Sequence, residues 1–274
     1  MIEGADGVRL HVEATGDGAP VLLVHGFPDS GGVWRHQAGP IAEAGHTVIV
    51  PDLRGMGASD VPDGVAAYGL TRVVRDMLAV LDAHGAERAH VIGHDWGAGV
   101  AWLLATLAPE RVASLAALSV GHPAAARPPT LEMRQKGWYQ LLFCFDEAEE
   151  LLARDDFAFF REWIGHAADL DRYVADLGRP GRLTAGLNYY RANVHPRRQL
   201  ERRSRPPLPA VKAPALGVWS SGDRFLAEEA MTRSERLVAG PWRYERIEGA
   251  THWLQLDEPE RVTALLLEHL ASAG

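Results

Sequence analysis

The 274-residue chain has a single cysteine, Cys144. One thiol excludes an internal disulfide framework and any all-cysteine zinc site, and it fits a reducing compartment, so a cytoplasmic location is expected. Long apolar runs are missing as well. No uninterrupted stretch approaches the roughly 18 residues of a spanning helix. The start, Met1-Ile2-Glu3-Gly4-Ala5-Asp6, has neither the basic residues nor the apolar core of a secretory signal. Positive charge is in deficit, with 28 Lys and Arg against 36 Asp and Glu for a net charge of −8. Phosphate contacts need clustered Lys and Arg, so neither nucleic acid nor an anionic membrane is an expected partner. There is no fixed-period repeat. The loop Gly26-Phe27-Pro28-Asp29-Ser30-Gly31-Gly32 lacks the Gly-Lys-Ser/Thr ending of a phosphate loop. Gly93, Gly97 and Gly99 have the wrong spacing for a dinucleotide fingerprint, and no His-Glu-x-x-His pattern occurs. No metal and no cofactor are therefore expected.

What is present is ordinary globular material, 47% apolar and 23% charged, long enough to bury about three quarters of its unfolded surface. Short apolar runs alternate with helical patterns. Strands are expected at Val8–Ala14, Val21–Val24, Thr47–Val50, Ala89–Ile92 and Ala113–Val120. Between them, Leu70, Val73, Val74, Met77, Leu78 and Leu81 follow helical spacing before Gly85, and a helix is expected from about Ala98 to Leu107. Alternation of this kind means an α/β fold, a mostly parallel sheet flanked by helices. The pattern breaks after Gly121. From Pro123 to about Arg205 the spacing is helical throughout, with Trp138, Leu141, Leu142 and Phe145 on one face and Leu183, Leu187 and Tyr190 on another. Pro206-Pro207-Leu208-Pro209 closes that segment like a stiff linker. Strands at Ala215–Trp219 and Arg243–Ile247 come next, with a helix around Leu226–Val238 and a last helix capped by Asp257 with Glu260 as its capping-box partner. The expected organisation is a core of 1–123 and 207–274 with an all-helical insertion at 124–206. The basic run Arg197, Arg198, Arg202, Arg203 and Arg205 reads as a solvated face.

The stretch Val91-Ile92-Gly93-His94-Asp95-Trp96-Gly97-Ala98-Gly99 is a strand, a Gly-x-nucleophile-x-Gly turn and a helix. Its central residue is Asp95, not Ser or Cys. A helix-capping Asp in a tight turn is the plain alternative. Against it stands the chain order of two more distant residues. An acid comes after a later strand, Asp223 in Ser220-Ser221-Gly222-Asp223, and then His252 in Gly249-Ala250-Thr251-His252-Trp253. An Asx-turn residue and a loop histidine would be the bland readings of those two. Asp52 and Arg54 are expected to brace a loop.

On these motifs, with His25-Gly26-Phe27-Pro28, Asp52-Leu53-Arg54-Gly55-Met56-Gly57 and His122-Pro123, the chain resembles α/β-hydrolase-fold epoxide hydrolases with a helical cap, across essentially its whole length. Two further segments match the family's cap: Trp138-Tyr139-Gln140-Leu141-Leu142-Phe143 and Asn188-Tyr189-Tyr190-Arg191. The resemblance implies Tyr139 and Tyr190 as the pair that activates the epoxide oxygen. Tyr189 is the competitor, about 100° away on a helix and off the Leu183/Leu187 face. An aromatic core stripe is the alternative for both tyrosines. The resemblance also implies Asp95 as nucleophile, His252 as the base that activates water, Asp223 as its orienting acid, and the backbone N–H groups of Phe27 and Trp96 as an oxyanion hole. The expected partners are a small apolar epoxide and water, acting on a monomer or homodimer. The family carries Gln directly after the residue matching Phe143, with a proline soon after, where this chain has Cys144-Phe145-Asp146. Cys144 is expected to pack beside the pocket. Haloalkane dehalogenases share Asp95, Asp223, His252 and Trp96, but place Asn where Phe27 stands and lack the cap tyrosines. Fluoroacetate-type dehalogenases place arginines after the nucleophile, where this chain has Gly97-Ala98-Gly99-Val100. A non-catalytic ligand-binding protein on the same fold is the remaining alternative.

Overall fold

The computed structural model describes residues 1–165, 167, 169–202 and 207–273. Two short strands, β1 (Ile2–Glu3) and β2 (Arg9–Leu10), pair antiparallel, and β3 (Val12–Thr15) begins the main sheet. The single strand expected at 8–14 is thus divided, its first half pairing backwards onto the N-terminus. The chain continues through β4 (Ala19–Val24), α1 (Ala38–Glu43), β5 (His46–Pro51), α2 (Leu70–Ala83), β6 (Ala89–His94), α3 (Trp96–Leu107) and β7 (Val112–Leu118). Among the described residues six helices follow: α4 (Leu131–Lys136), α5 (Trp138–Leu142), α6 (Ala148–Ile164), α7 (Leu170–Leu177), α8 (Arg182–Asn193) and α9 (Pro196–Arg202). The chain then returns with β8 (Ala215–Ser220), α10 (Glu228–Thr232), β9 (Trp242–Ile247), α11 (Leu254–Asp257) and α12 (Pro259–Ser272).

Among the described residues the main sheet has seven strands in the order β3-β5-β4-β6-β7-β8-β9, antiparallel only between β3 and β5. Val21, Leu22, Leu23 and Val24 in β4 are fully buried, as a strand covered on both faces requires. The chain winds one way from β4 to β5 and the other way to β6. The loops after β4 and β6 therefore diverge at the switch point where open α/β sheets form their crevice. Those loops carry Phe27 and Asp95.

Helix α2 buries Val73, Val74, Met77, Val80 and Leu81, and Gly85 just beyond it takes φ +64, the left-handed turn that favours glycine. Two expectations fail locally. The helix expected at 226–238 is the short α10 followed by a 3-10 turn, Arg233–Leu237. The last helix is not capped by Asp257: Pro259 occupies its first turn and Glu258 stands at the cap without a side-chain bond. Proline is preorganised for that position. The Asp257 carboxylate instead turns back to accept from the N–H and hydroxyl of Thr251.

In the insertion, Trp138 and Leu141 of α5, and Phe145 beyond its end, are largely exposed, while Tyr139 and Phe143 are buried. Arg197 and Arg198 are exposed, and Arg198 pairs with Glu201. Arg203, Arg205 and Pro206 lie outside the described residues, as does the side chain of Arg202.

Candidate active site

Asp95 is the residue between β6 and α3, held at φ +52, ψ −122. A non-glycine residue in that region is strained and is retained only where its surroundings impose it. Here the imposing contacts are backbone. A Cβ on Gly97 would run into the Val24 and His25 carbonyls, and one on Gly26 into the Asp95 side chain itself. The turn therefore packs against the end of β4, and the carboxylate is lifted above the sheet. The Phe27 N–H donates to Asp95 Oδ1 at 2.9 Å. Trp96, the first residue of α3, contributes one of the N–H groups that a helix leaves without an internal acceptor.

Asp223 follows β8 and His252 follows β9, and the parallel register of the two strands brings them together. His252 Nδ1 lies 2.8 Å from Asp223 Oδ2, and His252 Nε2 lies 3.5 Å from Asp95 Oδ2. The second Asp223 oxygen accepts the N–H groups of Phe225 and Leu226 at 2.8 and 2.9 Å. Burial disfavours charge on Asp95, but the bonded, charged His252 holds its carboxyl below the usual range. Burial likewise opposes the His252 imidazolium, and the two flanking aspartates override it, raising its pKa to about 10. The arrangement is an ionised carboxylate, an imidazolium and a second carboxylate in one buried line.

The structure adds two residues to that line which the motifs do not mark. His94 Nε2 and Ser119 Oγ both bond to the His252 carbonyl, at 2.8 and 2.9 Å. Since the partner is a carbonyl, His94 Nε2 must donate. Burial pushes the His94 pKa down to about 3, so the ring is neutral. Ser119 itself sits at φ +66. The sequence signal for His94 was its place beside the central residue of the turn; Ser119 had none.

Tyr139 from α5 and Tyr190 from α8 lie with ring centroids 6.0 Å apart. The Tyr190 ring is 5.1 Å from Trp96 and 5.8 Å from Phe27. Burial, and then the Asp95 charge, push both hydroxyls above their ordinary range, so both are neutral donors. Tyr189 points elsewhere and donates to the Arg54 carbonyl at 3.0 Å. Cys144 is half-buried against the same aromatic cluster, its thiol donating to the Gln140 carbonyl.

Around these groups lies support from both parts of the chain. Asp52 accepts the Gly31 and Ala58 N–H groups at 2.7 and 2.8 Å, and Arg54 forms a buried pair with Asp76, so both brace loops. Asp29 accepts from Trp253 Nε1 at 3.0 Å and faces Arg172 of α7 at 3.4 Å. Burial pushes its carboxyl up to about 7. Among the described residues, no group of three or more His, Cys, Asp or Glu is arranged to hold a metal ion, and no helix is long and apolar enough to cross a membrane.

Comparison with known proteins finds relatives along almost the whole chain. Residues 19–259 match the model of the α/β-hydrolase fold family. Epoxide hydrolase A of Mycobacterium tuberculosis is 36% identical, covering 97% of this chain and 95% of the relative. The AB hydrolase superfamily protein YfhM of Bacillus subtilis is 33% identical over the same shares. Among solved structures, epoxide hydrolase A from Mycobacterium thermoresistibile superposes with a TM-score of 0.78 at 33% identity, covering 97% of this chain and 95% of its own. A variant epoxide hydrolase from Bacillus megaterium, complexed with its product (R)-3-[1]naphthyloxy-propane-1,2-diol, gives 0.88 at 26% identity, covering 99% and 100%.

Proposed function

Because the chain belongs to the α/β-hydrolase family and is an epoxide hydrolase within it, we propose that it converts a small apolar epoxide to a vicinal diol through an alkyl ester on Asp95. The observation that carries this mechanism is an ionised aspartate at the elbow, ion-paired to His252, with two buried, neutral tyrosines near enough for its charge to raise both hydroxyls. We read residues 124–206 as the cap that supplies those tyrosines.

The nucleophile selects its electrophile. A serine attacking an sp³ carbon forms an ether, which water does not cleave. Aspartate forms an ester, whose carbonyl water can attack. In the first step Asp95 Oδ2 bonds to an epoxide carbon, the carbon–oxygen bond of the ring breaks, and Tyr139 or Tyr190 gives the departing oxygen its proton. Oδ1 becomes the ester carbonyl and keeps the Phe27 N–H. Alkylation also removes the Asp95 charge, one of the two anions that keep His252 protonated. His252 then passes its proton back to the tyrosinate and becomes a base when one is needed.

In the second step His252 takes a proton from water. Hydroxide attacks the ester carbon, and the Phe27 and Trp96 N–H groups hold the oxyanion. Collapse releases the diol, which keeps the proton of the transient Asp95 acid. Asp95 and His252 end as they began, ionised and protonated.

The test is His252→Gln, which leaves the first step and removes the base for the second. Incubated with an epoxide, this variant should accumulate protein heavier by the mass of one epoxide, with the added mass on the Asp95 peptide. Wild-type protein should release diol. Mass added elsewhere, or halide released from 1-haloalkanes with no diol formed from epoxides, would overturn the proposal.

A further inference from the structure

Asp95, His252, Tyr139 and Tyr190 are all almost completely buried, so a substrate must open a path to them. On one side the covering is thin. A surface cavity of about 240 Å³ lies between the helical insertion and the loop after β8, lined by the rings of Trp138, Phe159, Trp163 and Phe225 and rimmed by the charged Lys136, Glu162 and Arg224. Two of those rings also touch the catalytic groups. Phe225 is 5.5 Å from His252 and 5.7 Å from Tyr139 by ring centroids, and Trp163 is 5.0 Å from Tyr139. Trp163 and Phe225 meet each other at 5.0 Å. The wall between the outer cavity and the reacting groups is one aromatic ring thick.

The two halves of that wall are not anchored alike. Phe225 is held by its backbone, its N–H on Asp223 Oδ1, while Lys136 Nζ donates to the carbonyls of Asp223 and Leu226 at 2.7 and 3.2 Å. Moving that backbone would disturb the acid of the triad. Trp163 stands in the last turn of α6, just before Gly165 at φ +72. Upstream, α6 is interrupted where Asp155, Asp156 and Phe157 take φ of +51, +55 and +60. The short turn carrying Trp163 is therefore bounded at both ends by non-helical backbone, where rotation breaks few helix bonds.

We propose that Trp163 and Phe225 form the door between this surface cavity and Asp95, with Trp163 the moving leaf, and that the bulk of the epoxide's substituent is selected there. The proposal rests on the epoxide hydrolase reading for its substrate. Its geometry, an apolar ligand passing one pair of rings, does not depend on that reading.

The experiment compares wild type, Trp163→Ala and Trp163→Phe on 1,2-epoxybutane and 2-naphthyl glycidyl ether. A second readout follows association of the non-reacting 3-(2-naphthyloxy)-propane-1,2-diol by stopped-flow tryptophan fluorescence. Phe160→Leu is the control: this ring touches Trp163 at 5.8 Å but does not line the outer cavity. In Trp163→Ala the ratio of kcat/KM for the bulky over the small epoxide should rise by about tenfold or more, the scale on which a pocket discriminates substituent size. Diol association should accelerate in parallel. Trp163→Phe, which keeps a ring and much of the packing, should be intermediate. An unchanged ratio and an unchanged association rate in both Trp163 variants would overturn the door, as would an equal shift in Phe160→Leu. Diol binding that accelerates while no variant turns over either epoxide would leave the door standing and refute the proposed reaction.

Discussion

The hydroxyl of Tyr189 is engaged by the Arg54 carbonyl, while the next residue lays its ring against Trp96 and Phe27, which flank Asp95 from the two loops. One helical step of about 100° separates a structural tyrosine from the one proposed to react. The consequences of removing each hydroxyl should differ in kind. Tyr190→Phe and Tyr139→Phe should each lower kcat/KM for an epoxide by about 10²-fold, as expected of a general acid, with little change in melting temperature. Tyr189→Phe should leave kcat/KM near wild type and lower unfolding free energy by about 1 kcal/mol, the net worth of one buried hydrogen bond. Steady-state kinetics with a urea titration on each variant distinguishes the cases. The Tyr190 candidacy came from the family resemblance, and the face it shares with Leu183 and Leu187 only separated it from Tyr189. Tyr139 likewise came from the resemblance alone, because the more obvious apolar residues of its helix, Trp138 and Leu141, face outward.

At the level of elements, loops at the strand ends are fixed by buried polar contacts that no periodicity reveals. Arg54, in the loop after β5, lies fully buried against Asp76 of α2. Its Nε and Nη2 donate to the carboxylate at 2.7 Å each, Nη2 also donates to the Ala5 carbonyl, and Nη1 donates to the Ala67 carbonyl. The pair ties α2 and the N-terminal turn to the loop whose backbone receives Tyr189. Asp76→Ala would leave a buried guanidinium without its counter-charge, and the expected loss is about 3–5 kcal/mol of unfolding free energy. A denaturant titration in which Asp76→Ala matches wild type would refute that role. Asp257 shows the same limit from the other side. Its sequence neighbourhood is a capping box, but Pro259 starts the helix unaided. The carboxylate is then free to hold Thr251, next to His252.

Over the whole molecule, buried neutral histidines set the response to acid. Burial lowers His90, His122 and His269 to about 4 and His94 to about 3, from an ordinary 6.5. Between pH 6.5 and 4 the unfolded chain binds protons that the folded chain refuses, so this contribution to stability falls as pH falls. Asp29, raised to about 7, runs the other way: its contribution is full below its ordinary 3.8 and is lost as pH rises through 7. His252 is flat in this window, because its contribution is full below 6.5 and is lost only as pH rises through about 10. The lowered histidines, His25 among them, outnumber the raised carboxyls of Asp29 and Asp76 and should make the protein acid-labile, each histidine adding at most about 1.4 kcal/mol per pH unit. Urea midpoints at pH 7, 5.5 and 4.5 should fall steadily, and His90→Gln should flatten that slope. A pH-independent midpoint would refute this.

Residue order alone suffices for the alternating α/β architecture, the helical insertion, the Asp95 elbow and the Asp223–His252 partners. Each of these is written locally: in the period of apolar residues, in glycines that only a tight turn requires, and in chain order along parallel strands. Contacts between distant segments emerge only in the folded molecule. The bonds from His94 and Ser119 to the His252 carbonyl, the Asp29–Trp253–Arg172 contact and the Trp163–Phe225 wall join residues from different loops and helices. Side-chain contacts of that kind depend on how elements pack, and packing directions leave no periodic trace in the sequence.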